Sequence, residues 1–185
     1  MLYESLRKRE WFRLRGRFDS LGRCLGERRR FLCMMTPQKH RFSPAPSRAA
    51  GLGETPDTYF ASGLMGSGAV LFPQEGRLLA PCDAVVNFVF PKKYALGLRT
   101  TEGLEVVLQV GIGSNQMDSR CFQPLVDCGC QVRQGQELLR FDLEAMQQAG
   151  ILTATPLVVN RSPQQVHPLA LGNLEAGSAL LEVTL

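Results

Sequence analysis

Histidine is scarce in this chain: there are two in 185 residues, His40 and His167. Neither lies near a carboxylate or a thiol at a ligand spacing, so both read as surface side chains, His40 in a linker and His167 at a loop or short-helix edge. The chain has no H-x-H, H-x-x-x-D or H-E-x-x-H pattern, no G-x-S-x-G elbow and no Walker loop. The usual signatures of zinc hydrolases, serine hydrolases and P-loop enzymes are therefore missing. Six cysteines are present (Cys24, Cys33, Cys82, Cys121, Cys128 and Cys130), but no Cys-x-x-Cys pair. Cys128-Gly129-Cys130 has one residue between its thiols, a poor chelate spacing for zinc. The thiols read as reduced and mostly structural, and neither a metal nor a cofactor is expected. No apolar run reaches the roughly 18 residues that span a bilayer. No basic tip followed by an apolar stretch marks a secretory signal, which favours the cytoplasm.

What is present is unevenly distributed. The net charge of +4 conceals a split: residues 1–50 hold 13 Lys/Arg against 4 Asp/Glu, and residues 51–185 hold 8 against 13. Arg7-Lys8-Arg9, Arg13, Arg15, Arg17 and Arg28-Arg29-Arg30 are interspersed with Leu2, Leu6, Phe12, Leu14, Phe18 and Leu21. A basic amphipathic helix on anionic membrane is one reading, and a nucleic-acid arm is another. A third is that translation starts at Met34 or Met35 rather than Met1: Arg29-Arg30 can be encoded as AGGAGG, which resembles a bacterial ribosome-binding sequence. Other arginine codons there, or a mature chain beginning at Met1, exclude that start. Residues 37–55, with Pro44, Pro46 and Gly51-Leu52-Gly53, read as linker. The organisation expected is thus a basic segment with linker over residues 1–55 and one domain over 56–185.

Within 56–185, short apolar runs alternate with Gly, Pro and Asn punctuation: Ala69–Phe72, Arg77–Ala80, Ala84–Phe90, Ala95–Arg99, Leu104–Val110, Gln136–Phe141, Leu157–Val159 and Ala179–Thr184. Eight short strands at this spacing predict an all-β antiparallel sandwich or barrel. Hairpins are expected at Thr101-Glu102-Gly103 and at Pro73-Gln74-Glu75-Gly76, and a turn at Gln134-Gly135. The clear helix candidate is Asp142–Ala149, capped by Asp142 and ended by Gly150, with Leu143, Met146 and Gln147 as a narrow inner stripe. Gly66-Ser67-Gly68 has no helix after it and reads as a tight turn entering a strand.

The stretch Glu105-Val106-Val107-Leu108-Gln109-Val110-Gly111-Ile112-Gly113 is the most informative. As a strand it is apolar on both faces, and it places Gln109 on the face of Val107. An unpaired buried amide costs roughly 1–3 kcal/mol, so Gln109 needs either a backbone partner nearby or an open cleft.

The order of these motifs resembles the glucose-family enzyme IIA (type 1) domain of the bacterial phosphoenolpyruvate-dependent sugar phosphotransferase system. The resemblance is carried by Phe60-Ala61, Gly66-Ser67-Gly68-Ala69-Val70, Leu79-Ala80-Pro81-Cys82-Asp83-Ala84, Tyr94-Ala95-Leu96-Gly97-Leu98, Gly103-Leu104-Glu105, Val110-Gly111-Ile112, Gly135-Gln136, Phe141-Asp142-Leu143 and Thr155-Pro156-Leu157-Val158-Val159-Asn160. It implies an antiparallel sandwich with one or two short helices. It also implies a site in which one histidine accepts a phosphoryl group from the carrier HPr for the transporter's IIB domain, and a second histidine orients it. At the matching positions this chain has Gln109 for the acceptor and Tyr94 for its partner, with Lys92 in place of a family threonine and Gly113 in place of an aspartate. Imidazole is a competent phosphoryl acceptor. An amide nitrogen, its lone pair delocalised into the carbonyl, is not.

The resemblance therefore implies a degenerate IIA-type module. Its partners would be HPr and the IIB/IIC transporter, met through an apolar face holding Tyr59, Phe60, Met65, Phe90, Val107 and Val110; those six residues read equally well as core. Two other readings remain. One is a working phosphocarrier using another residue, such as Tyr94 or His167. The other is nucleic-acid or membrane-surface binding through residues 1–50. Zinc endopeptidases of the lysostaphin type share a related β topology but need His and Asp ligands that this chain lacks.

Overall fold

The computed structural model describes residues 39–42 (backbone only), 47–161, 165–175 and 178–184. The basic stretch 1–38, both candidate internal starts, and Cys24 and Cys33 lie outside these residues. In chain order the strands are β1 (Lys39–Phe42), β2 (Ser47–Gly51), β3 (Ser67–Pro73), β4 (Arg77–Leu79), β5 (Ala84–Val89), β6 (Ala95–Arg99), β7 (Glu105–Gln109), β8 (Phe122–Pro124), β9 (Gln131–Val132), β10 (Glu137–Phe141), β11 (Thr155–Val159), β12 (Val166–Pro168), β13 (Gly172–Leu174) and β14 (Leu181–Thr184). Two short helices complete the set, α1 (Thr58–Ala61) and α2 (Leu143–Gln148).

The strands form an eight-stranded sheet in the order β13-β2-β3-β11-β7-β6-β5-β9 and two three-stranded sheets, β4-β10-β8 and β1-β14-β12. Every pairing is antiparallel. The all-β antiparallel reading is correct. In the middle of the large sheet β11 is buried along its whole length, and β6 along all but Arg99. Strands covered on both faces read as continuous apolar runs rather than alternating ones; here the core is built on Leu96, Leu98, Leu108 and Leu157, each at most 1% exposed.

Most of the longer runs stand where periodicity puts them. The hairpin at Thr101-Glu102-Gly103 joins β6 to β7, closed by Gly103 N–H donating to Thr100 O at 3.0 Å. In α2 the Asp142 carboxylate accepts from Ala145 N–H at 2.9 Å, which satisfies one of the helix's open donors. Of its expected inner stripe only Met146 is fully buried, while Gln147 is exposed. Gly66-Ser67-Gly68 does enter a strand: a Cβ on Gly68 would run into the Leu157 carbonyl oxygen of β11.

Four expectations are corrected. The supposed linker holds β1 and β2, and β2 pairs with β3 from Ser47–Pro73 to Gly51–Ala69. Its Ala49 and Ala50 are buried, but small residues carry little strand signal. Pro73-Gln74-Glu75-Gly76 is not a hairpin; it carries the chain between sheets, since β3 pairs with β2 and β11 while β4 pairs with β10. β11 begins at Thr155, two residues early, with Pro156 inside it. Pro156 is paired only with β3, because β7 joins at Leu157, so the missing N–H costs no second ladder bond. Finally His167 is exposed in β12, opposite Glu182, not at a loop or helix edge, and His40 is in β1.

Cys82, in the turn before β5, is 7% exposed. Burial, then the negative charges of Asp83 and Glu102, push its thiol from 9.0 up to about 12. Between those two values the unfolded chain releases a proton that the folded chain keeps. Stability is therefore full below about pH 9 and falls as the pH rises toward 12, by up to ~1.4 kcal/mol per pH unit from this group. Urea unfolding at stepped pH checks this: the Cys82→Ala variant should show the flatter alkaline slope.

Candidate functional site

The residues singled out from the sequence gather where β6 begins and β7 ends. Ala95 of β6 faces Gln109 of β7 in the register, and just beyond them Val110 N–H donates to Tyr94 O at 2.8 Å. The loop between β5 and β6 is closed by Phe90 N–H to Ala95 O at 2.8 Å and Lys93 N–H to Phe90 O at 2.7 Å. Lys93 takes a left-handed φ of 67° there, uncommon for a side-chain-bearing residue.

Gln109 is 2% exposed. Its Nε2 donates to Gly111 O at 3.1 Å. Gly111 makes this possible: with φ at 72° the chain turns directly after the strand, a conformation glycine adopts without steric cost. A Cβ at Gly111 would also collide with the Met146 methyl and Ser114 Oγ. The amide thus has the local backbone partner that the sequence left open against a cleft.

Tyr94 is 6% exposed. Its ring lies 5.0 Å from Phe90 at 46° and 6.3 Å from Phe122 at 65°, both tilted arrangements that aromatic pairs favour. Lys92 is exposed, and its Nζ donates to Asn115 O at 2.6 Å. That bond ties the β5–β6 loop to the loop after β7. Gly113, with φ at 91°, precedes the 3-10 turn Ser114–Gln116.

The six residues assigned to an apolar contact face divide. Phe60, Phe90 and Val110 are buried and offer no free surface. Tyr59, Met65 and Val107 are half-buried. Phe60 forms a small core cluster with Leu52 and Val158, against which Met65, Val107 and Ile112 pack. Asp57 holds this corner by accepting from Tyr59 N–H at 2.9 Å at the start of α1. The resemblance located the positions but said nothing of burial, so core and surface members were grouped together.

Two polar groups went unnoticed in the sequence. Ser114 Oγ and Asn115 Oδ1 are buried without a protein hydrogen-bond partner, and both follow the strand that carries Gln109. Their signal was the short polar run Gly113-Ser114-Asn115 directly after an apolar strand. Among the described residues no three His, Cys, Asp or Glu side chains are grouped to hold a metal ion, and no helix is long and apolar enough to cross a membrane.

Comparison with known proteins is consistent across three kinds of relative. Residues 40–165 match the family model for the phosphoenolpyruvate-dependent sugar phosphotransferase system, EIIA 1. A glucose-specific EIIA component of Staphylococcus epidermidis is 32% identical over 66% of this chain and 74% of its own length. A beta-glucoside-specific EIIBCA component of Dickeya chrysanthemi is 40% identical over 77% of this chain, which spans 23% of that longer relative. The solved structure of glucose permease IIA from Mycoplasma capricolum shares the fold, with a TM-score of 0.73 over 81% of this chain and 99% of its own, at 21% identity.

The buried amide bond is open to test. Gln109→Leu keeps the volume but removes the donor to Gly111 O, and should lower unfolding stability by about 1–3 kcal/mol. Urea midpoints at constant m-value measure it, and an unchanged midpoint would show that the bond contributes nothing.

Proposed function

This chain belongs to the phosphoenolpyruvate-dependent sugar phosphotransferase system EIIA 1 family, and from that premise we propose a IIA-type module that binds the system's proteins without carrying a phosphoryl group. The observation that carries the proposal is the state of Gln109. By resemblance it stands at the acceptor position, where an amide nitrogen has no lone pair free to attack phosphorus. Its NH2 group is already engaged with Gly111 O at 3.1 Å, in a setting that is 2% exposed. Tyr94, at the second histidine position, is packed between Phe90 and Phe122. The buried amide stands in for an uncharged imidazole and holds the site in a permanently unphosphorylated form.

The partners follow from the family and the relatives' names: the carrier HPr, and a transporter's B and C portions of the kind joined to A in the EIIBCA relative. Half-buried Tyr59, Met65 and Val107 would form the contact surface with exposed Lys92. Leu64, 64% exposed beside Met65, and Leu152, 51% exposed and bridged to Ile112, extend its apolar part. Apolar area of this kind exposed next to a conformationally fixed site marks an interaction surface.

Incubation with phosphoenolpyruvate, enzyme I and HPr tests the proposal. The native chain should take up no stable label, and Gln109→His should gain it if the scaffold still docks HPr. Label on native Tyr94 or His167 would instead establish a working phosphocarrier. Absence of label on both proteins, with no retention of HPr by either in a pull-down, would remove HPr as the partner.

A further inference from the structure

Away from that site the turn Asp127–Cys130 carries two exposed thiols, neither of them in a disulfide. Among the described cysteines Cys82 is buried and Cys121 half-buried, whereas Cys128 and Cys130 are both exposed and neither is in a disulfide. Cys130 N–H donates to Asp127 O at 3.1 Å, which closes the turn, and Gly129 sits in its third position with φ at 90°. That is the conformation a type II turn demands, and glycine is its usual occupant. The turn is further pinned to β5, since Gly129 N–H donates to Val86 O at 2.8 Å and Val86 N–H to Cys130 O at 2.9 Å.

The backbone on either side of Gly129 is thus held while the thiols face solvent. Residues two apart are at most about twice the 3.8 Å Cα step from one another. A closed turn shortens that distance into the roughly 4.4–6.8 Å range a disulfide spans.

We propose that Cys128 and Cys130 are an oxidation site, a dithiol that closes to an intraloop disulfide by exchange with a low-molecular-weight disulfide. The thiolate of one cysteine attacks a sulfur of the small disulfide. A mixed disulfide forms and one small thiol leaves. The second cysteine, as thiolate, then attacks the protein sulfur of that bond and expels the second small thiol. Two protein thiols are oxidised and one small disulfide is reduced to two thiols. A small, exposed ring of this kind is readily reopened by thiols, so the site is reversible. Cys82, buried with its thiol pushed up to about 12, is a poor competitor because the thiolate is the nucleophile.

The oxidised form also changes the fold locally. Cys128 Sγ donates to Asn87 O at 3.1 Å, at the bulge that shifts the β5 register between Val86 and Phe88. A disulfide has no S–H to donate, so oxidation releases that anchor on the strand leading to Phe90.

The test uses the native full chain. It is incubated with glutathione disulfide, its remaining thiols are blocked with N-ethylmaleimide, and it is cut before aspartates. The fragment beginning at Asp127 holds Cys128 and Cys130 and no other cysteine. It should have lost two hydrogen masses, carry neither maleimide nor glutathione, and recover both thiols with dithiothreitol. Cys128→Ser and Cys130→Ser should each stop at a stable mixed glutathione disulfide on the remaining thiol. Two maleimides on the native fragment, stable glutathione adducts on it, or a bridge to Cys121 or to a second chain would overturn the proposal.

Discussion

The register of β6, β7 and β11 is the constraint on which the rest of the structure depends. β11 meets β7 with Leu157 opposite Leu108, and β7 meets β6 with Leu108 opposite Leu96. These strands are buried on both faces or nearly so. A slip of one residue would exchange every side chain between faces and misalign the leucines that fill the core. The same register therefore decides where the ends of the strands emerge. With Ala95 held opposite Gln109, Tyr94 and Val110 have no freedom but to meet through the backbone, and the loops that follow start from a rigid edge.

Around that edge the polar groups are dealt with unevenly. Gln109 is satisfied by a carbonyl two residues further on, because Gly111 turns the chain back. Lys92 bonds a carbonyl across to the next loop. Ser114 Oγ and Asn115 Oδ1, a few residues on, are buried with no protein partner. Low local dielectric makes unpaired groups of this kind expensive. The core of this corner is thus tightly specified at Gln109 and less so at the loop behind it.

How much of this could be read beforehand depended on residue type and element length. Strands of five or more residues rich in Val and Leu, such as β7, announced themselves by period and composition. β2 did not, because Ser-Arg-Ala-Ala-Gly has little strand preference. Strands of two or three residues, such as β8, β9, β12 and β13, are too short to show a period. The burial of Gln109 was legible from alternation. Its hydrogen bond was not, since that needs the left-handed Gly111, a property of the folded turn. Motif order identified the fold but could not separate buried Phe60, Phe90 and Val110 from half-buried Tyr59, Met65 and Val107, because exposure depends on what packs across from each residue.

The scaffold and the chemistry are separable here for a structural reason. Three of the contacts that shape the site, Val110 N–H to Tyr94 O, Phe90 N–H to Ala95 O and Ile112 N–H to Leu152 O, are backbone bonds. None depends on which side chain occupies residues 94 or 109, provided it fills the space. Tyr94 does so by packing at a tilt between two aromatic rings, and Gln109 by an amide that caps the turn after its own strand. The side chains at these positions can therefore differ without the fold changing, and overall similarity is then carried by the backbone frame. Family membership accordingly transfers the sandwich and its edge geometry to this chain. Whether phosphoryl transfer comes with them turns on the chemistry of two side chains, Gln109 and Tyr94.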